Sequence, residues 1–481
     1  MNLKERIEQS FSTYAAMTIQ HRALVDARDC NKPAARMAFY AQFIDGIAFP
    51  KPHRKTHKSI TSAMDHFYVH GDASMLDLLA HQARKITMRY PIEDGIGNMG
   101  TYTLLDNCAA PRYTEMRLGE LGTVMMEGIK KECIDRWFDN YDNTDKFPSV
   151  LPSLGFYNIV NGTVGIATGL SSSIPQFNLR EVNEALIKLL WNPEIDFDEI
   201  YCAPDFATGG TILNADEVKE SLRVGRGRSC IIRGTVEYDG KDNTLKVTEV
   251  PYNVATANIK KQVGAMFEAG TASGIERFED SSEDIVDITV WLSKNANPSK
   301  VTKNLFKNTM LQYHFPINMT MLDKGTYPKV FGWREALNAH LDHEKEVRRK
   351  IYNFDLEKIK ARLHIIDGFL IAIANIEEVV QIIKKSKNKS EAKTNLCERY
   401  GFDDEQVEAI LKLTLNRLCS LEIQSFNDEK NKLISEKERI ENILTTKELF
   451  YKEIEKDFRR IADKFGDERR TRLRLLPSVV P

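Results

Sequence analysis

Tyr113 stands between Arg112 and the pair Thr114-Glu115, with Ala109 and Ala110 before it and Arg117 after it. A phenol has a pKa near ~10 and is a poor nucleophile at neutral pH. An adjacent guanidinium favours the phenolate and stabilises charge that builds on a phosphate under attack. Arg112 keeps its charge at every working pH and can serve both needs. The chemistry this pair suits is attack of Tyr113 on a phosphodiester, giving a phosphotyrosyl ester. Such an ester is close in energy to the linkage it replaces, so it can be reversed without ATP. An isolated Arg-Tyr pair is more often a core tyrosine beside a surface arginine, so the surrounding sequence has to decide.

The elements that would position this tyrosine come earlier in the chain. The run Lys51-Pro52-His53-Arg54-Lys55-Thr56-His57-Lys58 is basic, and such runs release counterions when they neutralise phosphates. His70-Gly71-Asp72 follows. Asp72 is expected to cap a helix that shows Leu76, Leu79, Ala80 and Ala83 on one face. A basic loop, a short helix and a capped second helix read as a helix-turn-helix. Pro33 can open an earlier helix, along which Met37, Tyr40, Ile44 and Ile47 fall at helical spacing. Arg22, Lys32 and Arg36 would line the approach to a phosphate backbone with Lys58, although each also suits a solvated surface. Asp94-Gly95-Ile96-Gly97 invites an ATP-loop reading, but a short glycine motif is weak evidence and the other ATPase elements are missing.

The length, 481 residues, suggests about three domains. A net charge of -2 confines any nucleic-acid surface to local patches. Arg223-Val224-Gly225-Arg226-Gly227-Arg228 is one such patch, with Arg226 at its centre. Seven cysteines without a Cys-x-x-Cys pair argue against a disulfide framework or a zinc site, and a reducing cytoplasm is expected. Residues 1–20 hold no apolar stretch of signal-peptide kind. No window approaches the ~18 apolar residues of a membrane span, so no membrane partner is expected. The acidic run Asp196-Phe197-Asp198-Glu199 reads as a surface turn rather than a metal site. Residues 230–232, 235–238 and 244–250 alternate like strands. Leu356, Ile359, Leu363, Ile366, Leu370 and Ile373 repeat at spacings of three and four. Leu433, Ile440, Leu444, Tyr451, Ile454, Phe458, Ile461 and Phe465 mostly keep that rhythm. Two such helices pair as an antiparallel coiled coil, although an ordinary bundle fits the spacing too. The apolar segments 365–383 and 407–421 between them suggest a dimer contact.

Taken together, these motifs resemble one family. Ala109-Ala110-Pro111-Arg112-Tyr113-Thr114-Glu115-Met116-Arg117-Leu118 is similar to the active-site signature of the DNA-cleaving (A-type) subunit of type IIA topoisomerases, the gyrase A and topoisomerase IV A family. The stretch from His21 to Pro33 resembles the family's Gly-Arg-Ala-Leu-Pro-Asp-x-Arg-Asp-Gly-Leu-Lys-Pro and departs at His21, Val25, Cys30 and Asn31. Residues 89–100, 161–169, 173–179 and 249–254 resemble further family motifs in order. The resemblance runs from about residue 14 to residue 471.

It implies a mixed α+β fold: an N-terminal arm and winged-helix DNA-binding domain with the tyrosine (1–148), an α/β tower domain (149–330), and a long antiparallel coiled coil with a helical C-gate and short tail (331–481). It implies Tyr113 as nucleophile and Arg112 as stabiliser of the transferring phosphate, with Arg22, Lys32 and His70 holding the scissile strand. Ile174 falls in the slot of the isoleucine that wedges between base pairs, as apolar wedges do when they bend DNA. Tyr68 replaces the first histidine of a His-Pro-His motif, which leaves His70 to assist at the phosphate. Ala73 stands where quinolone-sensitive members carry serine, while Asp77 keeps the acidic partner, so weak quinolone binding is expected. The implied activity is ATP-dependent passage of one duplex through a double-strand break in another, with 5′-phosphotyrosyl links. No P-loop and no acidic triad for catalytic metal are seen, so Mg2+ and ATP are expected on a separate ATPase subunit. The assembly would be a heterotetramer on double-stranded DNA, with a homodimer joined at the C-gate, in a bacterial or phage-infected cell and associated with the nucleoid. DNA-wrapping repeats are missing, so relaxation or decatenation is expected rather than supercoiling, and the length resembles the medium subunit of T-even-type phage topoisomerases. Two rivals remain at this point: an architectural DNA bender in which Tyr113 is structural, and a tyrosine recombinase. The second is disfavoured because recombinase tyrosines lie near the C-terminus.

Overall fold

The computed structural model describes residues 6, 10, 11, 13, 14, 17–105, 108–412 and 420–474. The fold is mixed helix and sheet. The chain forms two compact units: residues 1–129, 134–347 and 454–481 make the first, and residues 130–133 and 348–453 the second.

In the first unit Pro33 opens helix α1 (Pro33–Ile44) after an extended Lys32, since the missing N–H is not needed there. Its buried face is Ala35, Ala38, Phe39, Ala41 and Gln42. The expected stripe included Ile44, which is instead 40% exposed, because the compact alanines let neighbouring helices approach on the adjoining face. Strand β1 (Arg54–Lys55) leads directly into α2 (Thr56–His66), and α3 (Asp72–Ala83) follows. The cap of α3 is Gly71, not Asp72 as expected. Asp72 occupies the first turn, where its carboxylate accepts from Ala73 N–H at 2.9 Å and complements the helix dipole. Met75, Leu79 and Ala80 are buried on α3. They meet Ala38, Ala41, Ile60, Ala63, Phe67, Met116 and Phe147 in one core.

A three-stranded sheet completes this region: β1, β2 (Glu93–Ile96) and β3 (Glu115–Leu118), with β3 in the centre. Both pairings are antiparallel, Lys55 facing Glu115 and Asp94 facing Arg117. Two hairpins follow, β4 (Trp137–Asp139) with β5 (Lys146–Pro148), and β6 (Thr163–Ala167) with β7 (Leu170–Ile174).

The predicted strand alternation between 235 and 250 is present. Strands Thr235–Asp239 and Thr244–Glu249 join Ile288–Leu292 and Ile275–Asp280 in a four-stranded antiparallel sheet. Leu245 and Val247 point into its core and Lys246 outward. Helices Thr256–Glu268 and Pro298–Asn308 cover that face through Ile259, Val263, Val301 and Leu305. A separate sheet of Gln312–Phe315, Cys230–Arg233 and Thr211–Ile212 gains the late strand Arg472–Leu473 in parallel. Arg89 anchors this return. It is fully buried against Asp205 at 2.7 Å and reaches Asp467 at 2.8 Å.

The second unit holds much of the 42-residue helix Trp333–Ala374 and the 26-residue helix Ser420–Thr445. Partners across them run in opposite directions. Arg362 meets Glu429 through two bonds (2.7 and 2.9 Å) and Phe369 meets Phe426 (5.3 Å between centroids), while Tyr352, earlier on the first helix, meets Glu453 (3.2 Å) of the next helix, Lys447–Phe465. Leu356, Ile359, Ile366, Ile373 and Ile440 from the expected repeat are buried. Helices Ile376–Lys385, Lys389–Tyr400 and Asp404–Leu411 enclose a small core of Val379, Leu396, Phe402, Val407 and Ile410. Residues 413–419, within the expected 407–421 dimer contact, lie outside the described residues. No helix among the described residues is long and apolar enough to cross a membrane.

Candidate active site

Period-2 alternation along β3 decides which way the tyrosine faces. Leu118, Met116 and Thr114 are buried, while Tyr113 just before the strand is 69% exposed. The Arg112 guanidinium carbon lies 4.6 Å from the centre of the Tyr113 ring, a cation–π contact. The cation therefore stands at the phenol, as the adjacency in sequence suggests.

The backbone around the tyrosine is fixed from three sides. Tyr113 N–H donates to Ala110 O at 2.9 Å, closing a turn. Ala109 N–H donates to Asn98 O at 2.9 Å. Thr114 Oγ1 donates to Thr56 Oγ1 at 2.7 Å, and Thr56 N–H donates to Thr114 O at 3.0 Å. The first residue of α2 is thus bonded to the residue next to Tyr113. Gly97 lies across from this point at φ +100°, and a Cβ there would come within 3.1 Å of the Thr114 methyl, so the glycine permits both the turn and the close approach. Further along β3, Glu115 pairs with Lys55 at 2.9 Å, and the ammonium holds its carboxyl below the usual range. Arg117 is bound through Nε and Nη2 to Asp94 at 3.0 and 2.8 Å and through Nη1 to Lys51 O at 2.6 Å. It braces the sheet and is not presented to a ligand.

His70 is exposed just before α3, its ring edge-on to Tyr68 at 5.3 Å. Tyr68 is held in turn by Ser74, hydroxyl to hydroxyl, at 2.9 Å. Lys58 on α2, Arg22 and Arg226 are exposed. Ala73 and Asp77 are exposed one turn apart on α3. Lys32 is half-buried. Its ammonium donates to Val164 O at 2.7 Å, and burial lowers its pKa. Lys32 and Asp77 line the same cavity of about 410 Å³, together with His81, Gln82 and Asn253.

Two expectations change. Arg36 does not face solvent: it is 3% exposed and bonded to Asp29 at 3.1 and 3.2 Å and to Asn31 O at 3.2 Å. Position 36 lies on the face of α1 that packs against the 26–31 turn, and its charge is consumed there. Ile174 is 1% exposed at the inner end of β7. The exposed isoleucine of that hairpin is Ile166, at 82%, opposite Ser171 near the tip. The missed signal was an apolar residue set in Gly165-Ile166-Ala167-Thr168-Gly169, where the flanking glycines mark a projecting turn.

The acidic run at 196–199 is the capped start of a short helix and not the expected turn. Asp196 caps the short helix Phe197–Ile200, and Asp198 pairs with Lys219 at 2.9 Å. Among the described residues no group of three or more His, Cys, Asp or Glu side chains is placed to hold a metal.

The family model for the A subunit of DNA gyrase and topoisomerase IV matches residues 22–459. The DNA gyrase A protein of Metamycoplasma arthritidis is 37% identical over 98% of this chain and 53% of its own length. Those of Mycoplasma genitalium (36%) and Thermotoga maritima (35%) are also matched over 98% of this chain, and over 57% and 59% of their own lengths. The chain thus spans little more than half the length of these curated relatives.

Proposed function

Because the chain belongs to the A-subunit family of DNA gyrase and topoisomerase IV, we propose that it is the breakage–reunion subunit of an ATP-dependent type II DNA topoisomerase. In this reading the Tyr113 oxygen attacks a backbone phosphorus, and the bond from phosphorus to the 3′-oxygen breaks. The enzyme is left on the 5′-phosphate and the strand ends in a free 3′-hydroxyl. Attack by that hydroxyl restores the phosphodiester and the phenol. Arg112 offsets the charge on the phosphoryl oxygens during both transfers. His70, Arg22 and Lys32 hold the scissile strand, and Lys58 and Arg226 contact the flanking backbone. The wedge falls to Ile166, whose exposure suits insertion between base pairs.

Two copies cut the two strands. The α2–α3 pair with its sheet acts as a winged-helix domain up to residue 148 and the 149–330 region as the tower. The long helices act as a coiled coil ending in the C-gate that joins the homodimer. A separate ATPase subunit completes a heterotetramer in the bacterial or phage-infected cytoplasm. It supplies ATP turnover and the Mg2+ site, and the metal would add charge stabilisation at the phosphate.

The observation that carries the reading is an exposed tyrosine on a fixed backbone with a guanidinium on its ring. The test is Tyr113→Phe in the complex with the ATPase subunit. We expect undiminished DNA binding and no protein-linked DNA after denaturation. DNA bending that is equal in parent and variant, with no protein-linked DNA from either, would instead make the chain an architectural DNA bender.

A further inference from the structure

We propose that Tyr102 is a positioning residue that latches the loop leading to Tyr113 onto the four-stranded sheet unit, so that this unit sets where the nucleophile stands. The inference rests on the function proposed above.

The loop leaves β2 and returns toward β3. It closes at its base where Ala109 N–H donates to Asn98 O at 2.9 Å, and Arg84 Nε donates to Met99 O at the same base. Met99 and Cys108 pack against the α2–α3 core, whereas Tyr102 does not belong to it. Tyr102 packs against the cluster of Leu245, Val247, Ile259, Val290 and Leu305, the core of the four-stranded unit.

The main chain is engaged there as well. Tyr102 N–H donates to Glu283 O at 2.9 Å, and Thr103 Oγ1 donates to Ser282 O. On the other side Thr256 N–H donates to Tyr102 O at 2.9 Å and Ala257 N–H to Thr103 O at 3.4 Å. Those two donors belong to the first turn of the helix Thr256–Glu268, whose cap position, Ala255, offers no side chain to accept them. A helix start leaves up to four such N–H groups to be satisfied from outside, and the tyrosine loop supplies two of the acceptors. The sheet unit therefore cannot shift relative to this loop without uncapping its own helix and withdrawing an aromatic ring from its core.

Eleven positions separate Tyr102 from Tyr113, and Asn98 holds the loop between them. A displacement of the sheet unit, such as bending of a bound duplex would cause, is passed to the nucleophile through this latch. A misplacement of about 1 Å is enough to cost of the order of a hundredfold in a positioned reaction.

The experiment uses the full chain assembled with its ATPase partner protein. It follows single-turnover formation of protein-linked DNA at saturating duplex, with DNA affinity and melting temperature measured beside it. Tyr102→Ala is expected to lower the rate of linkage at least tenfold and leave DNA affinity within twofold. Tyr102→Phe keeps the ring that does the holding and is expected to restore the rate. Thr103→Val, which removes the bond to Ser282 O, is expected to lower the rate at least threefold, and it serves as the decisive variant if Tyr102→Ala does not fold. Linkage within twofold of the parent by folded Tyr102→Ala, or by Thr103→Val in its place, overturns the latch. A parent protein that never links to DNA overturns the proposed function instead, so the two failures are distinguishable.

Discussion

Glu93 is a carboxylic acid with almost no access to water. It is 2% exposed, at the start of β2, and Gln42 Nε2 donates to its Oε1 at 2.6 Å. Among the described residues its second oxygen, Oε2, and the amide oxygen of Gln42 have no hydrogen-bond partner. Burial, reinforced by the neighbouring carboxylate of Asp94, pushes its pKa from the ordinary 4.5 up to about 8. A protonated Glu93 turns Oε2 into a donor and removes a charge from the core. Below pH 4.5 the folded and unfolded chains both hold this proton. Between 4.5 and 8 the unfolded chain releases it while the folded chain keeps it, so stability falls as pH rises through that window. The fall ends above about pH 8, where both have lost it. At about 1.4 kcal/mol for each tenfold change in proton affinity, the full effect is at most about 5 kcal/mol.

Glu93→Gln keeps the shape and discards the titration. Urea unfolding of the parent and the variant should be followed across pH 4–9. We expect the difference between them to grow in favour of the variant with rising pH. His66 has its pKa raised by Asp45 and Asp145. It likewise loses its contribution as pH rises through its folded pKa, but it is common to both proteins and cancels in the difference. A difference that does not change with pH, or a variant weaker than the parent at pH 8, would refute the assignment of a buried proton to Glu93.

Arg89→Met strips Asp205 of its buried partner and should cost on the order of 3–5 kcal/mol, read as a lower unfolding midpoint and faster proteolysis after residue 467. Ile174→Ala should cost about 2–5 kcal/mol as a core truncation without changing DNA bending. Ile166→Ala should leave the midpoint unchanged and reduce bending measured by fluorescence transfer between duplex ends. Arg36→Met should destabilise the fold and leave the salt dependence of DNA binding unaltered, whereas Lys58→Met should lower the slope of log affinity against log salt by about 0.9. Ala73→Ser, beside Asp77, should increase quinolone-stimulated cleavage, and equal drug response in parent and variant would set that reading aside.

What could be read from the sequence was whatever a short-range period encodes. The alternation at 244–249 gave a strand with Leu245 and Val247 inside. The three-four spacing after residue 356 gave a long helix with a buried stripe. The adjacency of Arg112 and Tyr113 became a contact because no long-range event had to intervene. What could not be read depended on where the chain returns in space. Arg36 looked like a surface cation because its partner, Asp29, is presented by a turn in which Cys30 sits at φ +56°. That conformation favours glycine, and Cys30 stands where the resemblance placed one. Ile174 and Ile166 are both apolar residues beside a turn motif, and only the packing of β7 against the interior shows which one is inside.

The same distinction explains how Tyr113, the proposed nucleophile, is held. A phenol that must reach a phosphate has to be exposed, yet a freely rotating loop would lose the benefit of orientation. Tyr113 meets both demands by standing two residues before the central strand of a sheet. Thr114 is buried and bonded to Thr56 at the start of α2, Ala109 is bonded to Asn98 beyond β2, and the turn closes on Ala110. Every one of these restraints acts on the main chain or on a neighbour, and the restraint on the ring itself is the Arg112 guanidinium. In the proposed reaction the guanidinium that offsets the phosphate charge thus also limits the rotation of the phenol, so Arg112→Lys, which keeps the charge but loses the planar stacking surface, should impair cleavage more than charge alone dictates.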